Sequence, residues 1–186
     1  RAIKLEAGHV YVTGATGSPG LATPGAFDET RNPGGMWGGI DGFVVSFDPS
    51  LSTRTYTKYL GGSDADYCED MAIVPGGSVY VTGWTASDDY PTHAAAFDTT
   101  FAGGTYDAFV SGLAPDLGSL TGSTYLGGTS WDFGYAMGAA IGAHVGRPEA
   151  KTVALARIRM NSPSFCLKTI QPLQRLSSIN SSTAMH

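Results

Sequence analysis

The sequence predicts an all-β chain of β-propeller blades: about two four-stranded antiparallel blades, a broken third, and a tail that does not match. Three observations carry this. Motifs recur, since Val10-Tyr11-Val12-Thr13-Gly14 returns as Val79-Tyr80-Val81-Thr82-Gly83 and Tyr59-Leu60-Gly61-Gly62 as Tyr125-Leu126-Gly127-Gly128. Such a period marks a solenoid, a propeller or an array. The 26 Gly and 10 Pro in 186 residues, with 15% charged residues, describe a turn-rich β protein. Finally, each unit holds short β-branched and aromatic runs between Gly turns, the pattern of a blade. A β-sandwich has similar strands but does not reuse motifs at a near-fixed interval.

The first unit, residues 1–62, starts in mid-repeat. Ile3 to Gly8 leads into the strand Val10-Tyr11-Val12, closed by Thr13-Gly14. A Gly/Pro-rich connection, Ala15 to Ile40, contains Ala26-Phe27-Asp28. Asp41 to Pro49 follows as a strand, with Phe43, Val45 and Phe47 on one face and apolar Val44 on the other, so both faces are expected to be covered. Arg54 to Leu60 alternates Thr and Tyr with charge and stops at Gly61-Gly62.

The second unit, residues 63–128, repeats this order in four strands: Met71–Val74, Ser78–Thr82, Asp107–Leu113 and Leu120–Leu126. Asp41 and Asp107 stand 66 residues apart, as do Tyr59 and Tyr125, whereas Val10 and Val79 stand 69 apart. The difference falls in the connections, as expected where strands form the core and loops vary in length. The connection Trp84 to Tyr106 is long for a hairpin. A third unit begins at 129–145 in register with the second, but Gly146-Arg147-Pro148 stands where Tyr-Val-Thr-Gly belongs. In the tail, 146–186, the content of Glu149 to Met160 predicts a short helix, and the Ser-rich 161–186 predicts disorder. The break falls inside a strand rather than a linker, which favours foreign sequence over a native C-terminal cap.

Charge follows the same division. Residues 1–138 carry five Lys/Arg against fifteen Asp/Glu, and the rest carries six basic residues against Glu149 alone. The acidic body argues against a phosphate-binding surface, so nucleic acid is not an expected partner. No apolar run approaches the ~20 residues that span a bilayer. The opening Arg1, in place of an initiator Met, leads to the expectation of a fragment or a processed chain. Cys68 and Cys166 lie in segments of different character, and neither spacing nor context supports a disulfide.

The combined set Ala72-Ile73, Gly77, Val79 to Gly83, Thr85, Asp107-Ala108-Phe109-Val110, Leu113, Pro115 and Ser123 to Gly128 resembles the SBBP-type β-propeller repeat of bacterial proteins. The resemblance covers about residues 3–145. It implies one or more blades of a larger secreted or surface-attached protein, with further blades or domains of that protein as partners. It brings no general catalytic motif. At one hairpin turn Asp48-Pro49-Ser50 replaces Ala114-Pro115-Asp116, a small departure.

No constellation for chemistry stands out, so no catalytic, cofactor-binding or metal residues are assigned. Asp64 to Asp70 is the densest carboxylate cluster, and Ca²⁺ prefers such oxygen ligands. Its counterpart around Asp132 keeps only one carboxylate, so the expectation is a solvated acidic turn with Asp66 and Asp132 bonding local backbone N–H groups. His9, His93, His144 and His186 are scattered. Gly14 to Gly20 lacks the Lys of a phosphate loop. Trp37, Trp84, Trp131, Tyr90 and Tyr106 lie in or beside connections, where aromatics either stack on sugar rings or pack between blades. Asp88 and Asp89 are the nearest local pair for acid–base chemistry on sugars, but the matching first-unit loop has no such pair. The expected function is therefore a non-catalytic structural or binding module, with a protein or carbohydrate ligand held by the loops. A propeller enzyme acting on polysaccharide and a calcium-stabilised adhesion module are the alternatives.

Overall fold

Strands β1 (Ala2–Glu6), β2 (His9–Thr16), β3 (Asp41–Phe47) and β4 (Arg54–Leu60) form one antiparallel sheet in chain order. Strands β5 (Asp66–Ile73), β6 (Val79–Thr85), β7 (Asp107–Leu113) and β8 (Leu120–Leu126) form a second of the same topology. A third sheet has the order β11-β10-β9, from β9 (Asp132–Gly142), β10 (Lys151–Met160) and β11 (Cys166–Ile170). The structure, a computed structural model, describes residues 1–26, 28–35, 39–142, 151–160 and 166–170. All described elements are strands, arranged as propeller-like blades.

Three sequence expectations change. The short helix expected over Glu149 to Met160 is instead β10, a strand from Lys151 that pairs antiparallel with β9. Intrinsic propensity there is weak, and the open edge of β9 supplies hydrogen-bond partners that an isolated helix cannot match. Cys166–Ile170, in the stretch expected to be disordered, is also a strand. The rest of that stretch lies outside the described residues. The first strand of the second sheet begins at Asp66 and not at Met71, with a bulge between Cys68 and Asp70. This bulge breaks the apolar/polar alternation, which is why the strand's first half reads as a turn.

The two repeat motifs fall at equivalent places. In the first sheet Val12 pairs with Ile3 and Val45, and in the second Val81 pairs with Met71 and Ser111. Each hairpin between the third and fourth strands carries a leucine in the left-handed region, Leu51 (φ 58°) and Leu117 (φ 53°). Leu51 N–H donates to the Asp48 carbonyl at 3.0 Å and Leu117 N–H to the Ala114 carbonyl at 2.9 Å, so the Asp48-Pro49-Ser50 departure leaves the turn intact.

Both long connections are fastened to the outer strand of their own sheet. Tyr59 N–H donates to the Asp28 carbonyl at 3.2 Å, and Tyr125 N–H to the Asp98 carbonyl at 3.1 Å. The Tyr59 hydroxyl donates to the Ser18 carbonyl at 2.7 Å, and the Tyr125 hydroxyl to the Ser87 carbonyl at 2.8 Å. The loop thus occupies the backbone edge of β4 or β8, which would otherwise offer unpaired groups to another chain. Asp28 and Asp98 close matching turns by accepting from the N–H two residues on, Thr30 at 3.0 Å and Thr100 at 2.9 Å.

Between the first two sheets, Tyr11, Val44 and Leu60 meet Met71, Val79, Val81, Phe109, Leu113 and Leu117 in one buried cluster. Between the second and third, Val110 and Leu126, flanked by Tyr80, meet Met137. Tyr80, Val110, Leu126 and Met137 are the repeat counterparts of Tyr11, Val44, Leu60 and Met71. The same contact is therefore made twice.

Candidate functional site at the blade junctions

The Leu-Gly-Gly turn and the aspartate that follows it build the polar part of each junction. At the first, Asp66 N–H donates to the Ile40 carbonyl at 2.8 Å, and Gly62 N–H donates to Asp66 Oδ2 at 2.7 Å. At the second, Asp132 N–H donates to the Tyr106 carbonyl at 2.8 Å, and Gly128 N–H donates to Asp132 Oδ2 at 2.7 Å. The local backbone bonds expected of Asp66 and Asp132 are present. Their expected solvation is not, because Asp66 is fully buried and Asp132 is 2% exposed. The neighbouring blade covers them, and no local sequence pattern records that cover.

A second aspartate faces each of these. Asp41 and Asp107, at the starts of β3 and β7, are fully buried. Asp41 Oδ2 accepts Asn32 N–H at 3.0 Å, and Asp107 Oδ2 accepts Ala102 N–H at 2.7 Å. Oδ1 of both is buried with no hydrogen-bond partner among the described residues. A Cβ on Gly61 would lie 2.7 Å from Asp66 Oδ2 and 3.0 Å from Asp41 Cγ, so glycine is needed where the two carboxyl groups converge. Burial pushes Asp66 up to about 7, and its Thr85, Gly62 and Ser87 hydrogen bonds only partly oppose that. Burial likewise raises Asp41 and Asp107 to about 6. Such carboxyls keep protons through mild acid. All three side chains are buried within the packed structure.

The remaining carboxylates of Asp64 to Asp70 disperse. Glu69 Oε1 accepts the Trp84 indole N–H at 3.2 Å and pairs with Arg1 at 3.2 Å. Asp70 pairs with Lys4 at 3.5 Å through Oδ1 and accepts Met137 N–H at 2.8 Å through Oδ2. Among the described residues no group of three or more His, Cys, Asp or Glu could hold a metal ion. Cys68 is buried as a free thiol, pushed up to about 12 by burial. The Cys166 side chain lies outside the description.

Asp89 Oδ1 accepts Ser63 N–H at 2.7 Å, tying the Trp84–Tyr106 connection to the Gly-Gly turn, and both Asp88 and Asp89 are exposed. Tyr90 is a core residue, 2% exposed, stacked on Phe109 at 4.4 Å with its hydroxyl 3.0 Å from Ser111 Oγ. Trp84, Tyr106 and Trp131 join one aromatic cluster: Trp84 stacks on Tyr67 at 4.1 Å and meets Tyr106 at 4.6 Å, and Tyr106 meets Trp131 at 6.0 Å. Trp131 remains 51% exposed. Ala15, Ile40 and Ala65 occupy the corresponding places of the first junction, so a junction closes without these aromatics. His9 lies against Tyr11 with ring centres 6.4 Å apart, and His93 Nδ1 accepts Ala95 N–H at 3.3 Å. Trp37, His144 and His186 fall outside the described residues. The sequence reading missed Asp41 and Asp107, although their 66-residue spacing and the glycines opposite them were there to be read.

No curated protein matches the chain. Residues 55–91 match the family model SBBP, a beta-propeller repeat. The matched stretch runs from β4 through Gly61-Gly62 and Asp66 to the end of β6, so the sequence repeat is centred on the junction and straddles two sheets. Over residues 55–91 the chain is thus similar to an SBBP beta-propeller repeat, within an all-β arrangement of propeller-like blades.

Proposed function

We propose that the chain is a non-catalytic structural or partner-binding segment of a larger β-propeller, packed against further blades or domains of its parent protein. The observation that carries this reading is the junction made twice, with the same Tyr, Val, Leu and Met positions and the same buried aspartates. The most deeply placed carboxyl groups serve that packing, and Asp89 serves a turn. Ligand contact, with a protein or a carbohydrate, falls to the exposed parts of the connections Ala15–Ile40 and Trp84–Tyr106, as is usual for loops on a rigid scaffold. Placement in a secreted or surface bacterial protein is part of the same proposal and rests on the resemblance of the repeat alone.

The test is turnover by the purified chain on a panel of polysaccharides, with and without Ca²⁺. No hydrolysis, and no Ca²⁺-dependent shift in melting, is the expected result. Hydrolysis that disappears in Asp88→Asn or Asp89→Asn would overturn the reading in favour of an enzyme.

A further inference from the structure

At the strand ends of the second junction the two repeats part company. Trp84, Tyr106, Trp131 and Tyr135 stand where the first junction has Ala15, Ile40, Ala65 and Glu69. Phe133, packed among them, keeps a ring at its counterpart, Tyr67. The first junction closes without the other four rings, so the blade scaffold does not require them.

These rings form one run. Tyr106 lies 4.6 Å from Trp84, 6.0 Å from Trp131 and 5.6 Å from Phe133, and Tyr135 stacks on Phe133 at 5.8 Å. Backbone contacts fix the run in place. Asp132 N–H donates to the Tyr106 carbonyl at 2.8 Å, and a Cβ on Gly104 (φ 77°) would lie 2.7 Å from the Ser130 carbonyl oxygen. Both ends of the run reach solvent, Trp131 at 51% and Tyr135 at 46% exposure, while Trp84, Tyr106 and Phe133 are half-buried. The Tyr106 and Trp131 planes cross at 69°, so the exposed indole is held by an edge contact and is not stacked.

Pre-positioned rings with open faces suit a ligand that stacks. The place distinguishes this surface from a blade contact, which uses Tyr, Val, Leu and Met positions within the sheets. Here the rings border loop ends, beside the exposed Thr105, Thr129 and Ser130. Rings next to small hydroxyl side chains match a sugar, which offers C–H faces and hydroxyl groups together. Nucleic-acid bases stack as well, but residues 1–138 carry fifteen Asp/Glu against five Lys/Arg. That balance disfavours phosphate and uronate alike. Trp131 and Tyr135 are four positions apart on nearly extended chain, about 13 Å, which takes more than one sugar ring to span.

We infer that Trp131 and Tyr135, backed by Tyr106 and Phe133, form a binding surface for an uncharged polysaccharide chain. The inference rests on the proposed partner-binding role and names its surface and its ligand class.

The experiment titrates the full chain with cellohexaose, xylohexaose, mannohexaose, laminarihexaose and maltohexaose, read by calorimetry and tryptophan fluorescence. At least one should bind saturably, and its monosaccharide at least about tenfold more weakly. Trp131→Ala and Tyr135→Ala should each weaken binding by about tenfold, with little change in melting temperature because both side chains are exposed. Trp131→Phe should keep most of the affinity, and Tyr56→Ala, at an exposed ring of the first sheet, all of it. Binding of none of the hexasaccharides, binding of polygalacturonate alone, or equal affinity in both alanine variants would overturn the assignment. So would concentration-dependent self-association that Trp131→Ala abolishes, which would give the surface to a second copy. Failure here with the chain still inert on polysaccharides removes only this surface; turnover removes the non-catalytic reading itself.

Discussion

The first and second sheets share their topology, their register and most of their motif residues, yet differ in how deeply those residues are buried. Phe43 and Phe109 occupy the same position, one half-buried and the other fully buried. Val12 and Val81 differ in the same way. In a repeat protein, burial at such a position belongs to the neighbour as much as to the residue, because one sheet cannot cover its own face. The stabilising contribution of a motif residue should then depend on which sheet carries it.

The largest effect is expected at the paired phenylalanines. Phe109→Ala should cost about 3–5 kcal/mol, as for a large side chain deleted from a packed core, and Phe43→Ala roughly half as much, since less area leaves water there. Urea unfolding of the two variants measures the difference, and equal losses would break the comparison.

A second test separates the two junctions by pH. The folded carboxyls of Asp66 (about 7), Asp41 (about 6) and Asp107 (about 6) lie above the ordinary value of 3.8. The folded state therefore binds more protons than the unfolded state between those limits. The stability this gives is fully present below about pH 4 and is lost as pH rises toward 7, by up to ~1.4 kcal/mol per pH unit for each group. Melting temperature should fall over that window. Asp66→Asn should flatten the fall more than Asp107→Asn does. A melting temperature that rises from pH 5 to 7 would show that these carboxyls are charged when folded.

The two motif glycines give a smaller and sharper contrast. A Cβ on Gly83 would run into the Tyr67 carbonyl oxygen, a backbone atom, whereas one on Gly14 would meet the Phe43 ring at 3.1 Å and the backbone nitrogen of Arg1 at 3.2 Å. Gly83→Ala should cost about 2–3 kcal/mol by forcing apart the bulged β5 and β6, and Gly14→Ala clearly less. Loss of the bulge in a Gly83→Ala structure without loss of stability would contradict this.

Of the paired turn leucines, the exposed Leu51 is expected to give the smallest effect. Leu117→Ala should cost about 2–3 kcal/mol and the exposed Leu51→Ala only about 0.5 kcal/mol. Because both have positive φ, Leu51→Gly should be neutral or slightly stabilising. Differential scanning calorimetry resolves these shifts.

The sequence by itself determined the repeat, the strand order and most strand bounds, because β-branched alternation and Gly turns are local signals that repeat with the blade. Asp107–Leu113 and Leu120–Leu126 are strands over the residues their sequence predicts. Where a signal depended on a neighbour, local reading went astray. Asp64 to Asp70 reads as a solvated turn, but the first sheet covers Asp66 and Cys68, and the bulge hides the strand's alternation. Glu149 to Met160 reads as helix from propensity, but the edge of β9 makes Lys151 to Met160 a strand. Only the tertiary structure brought Asp41 to Asp66 across Gly61, because twenty-five positions of chain and a change of sheet separate the two aspartates. Only it decided that Val81 is core while Val12 is half-open. Hydrophobic burial is set by what lies across the face, and a sequence pattern records only which face is apolar.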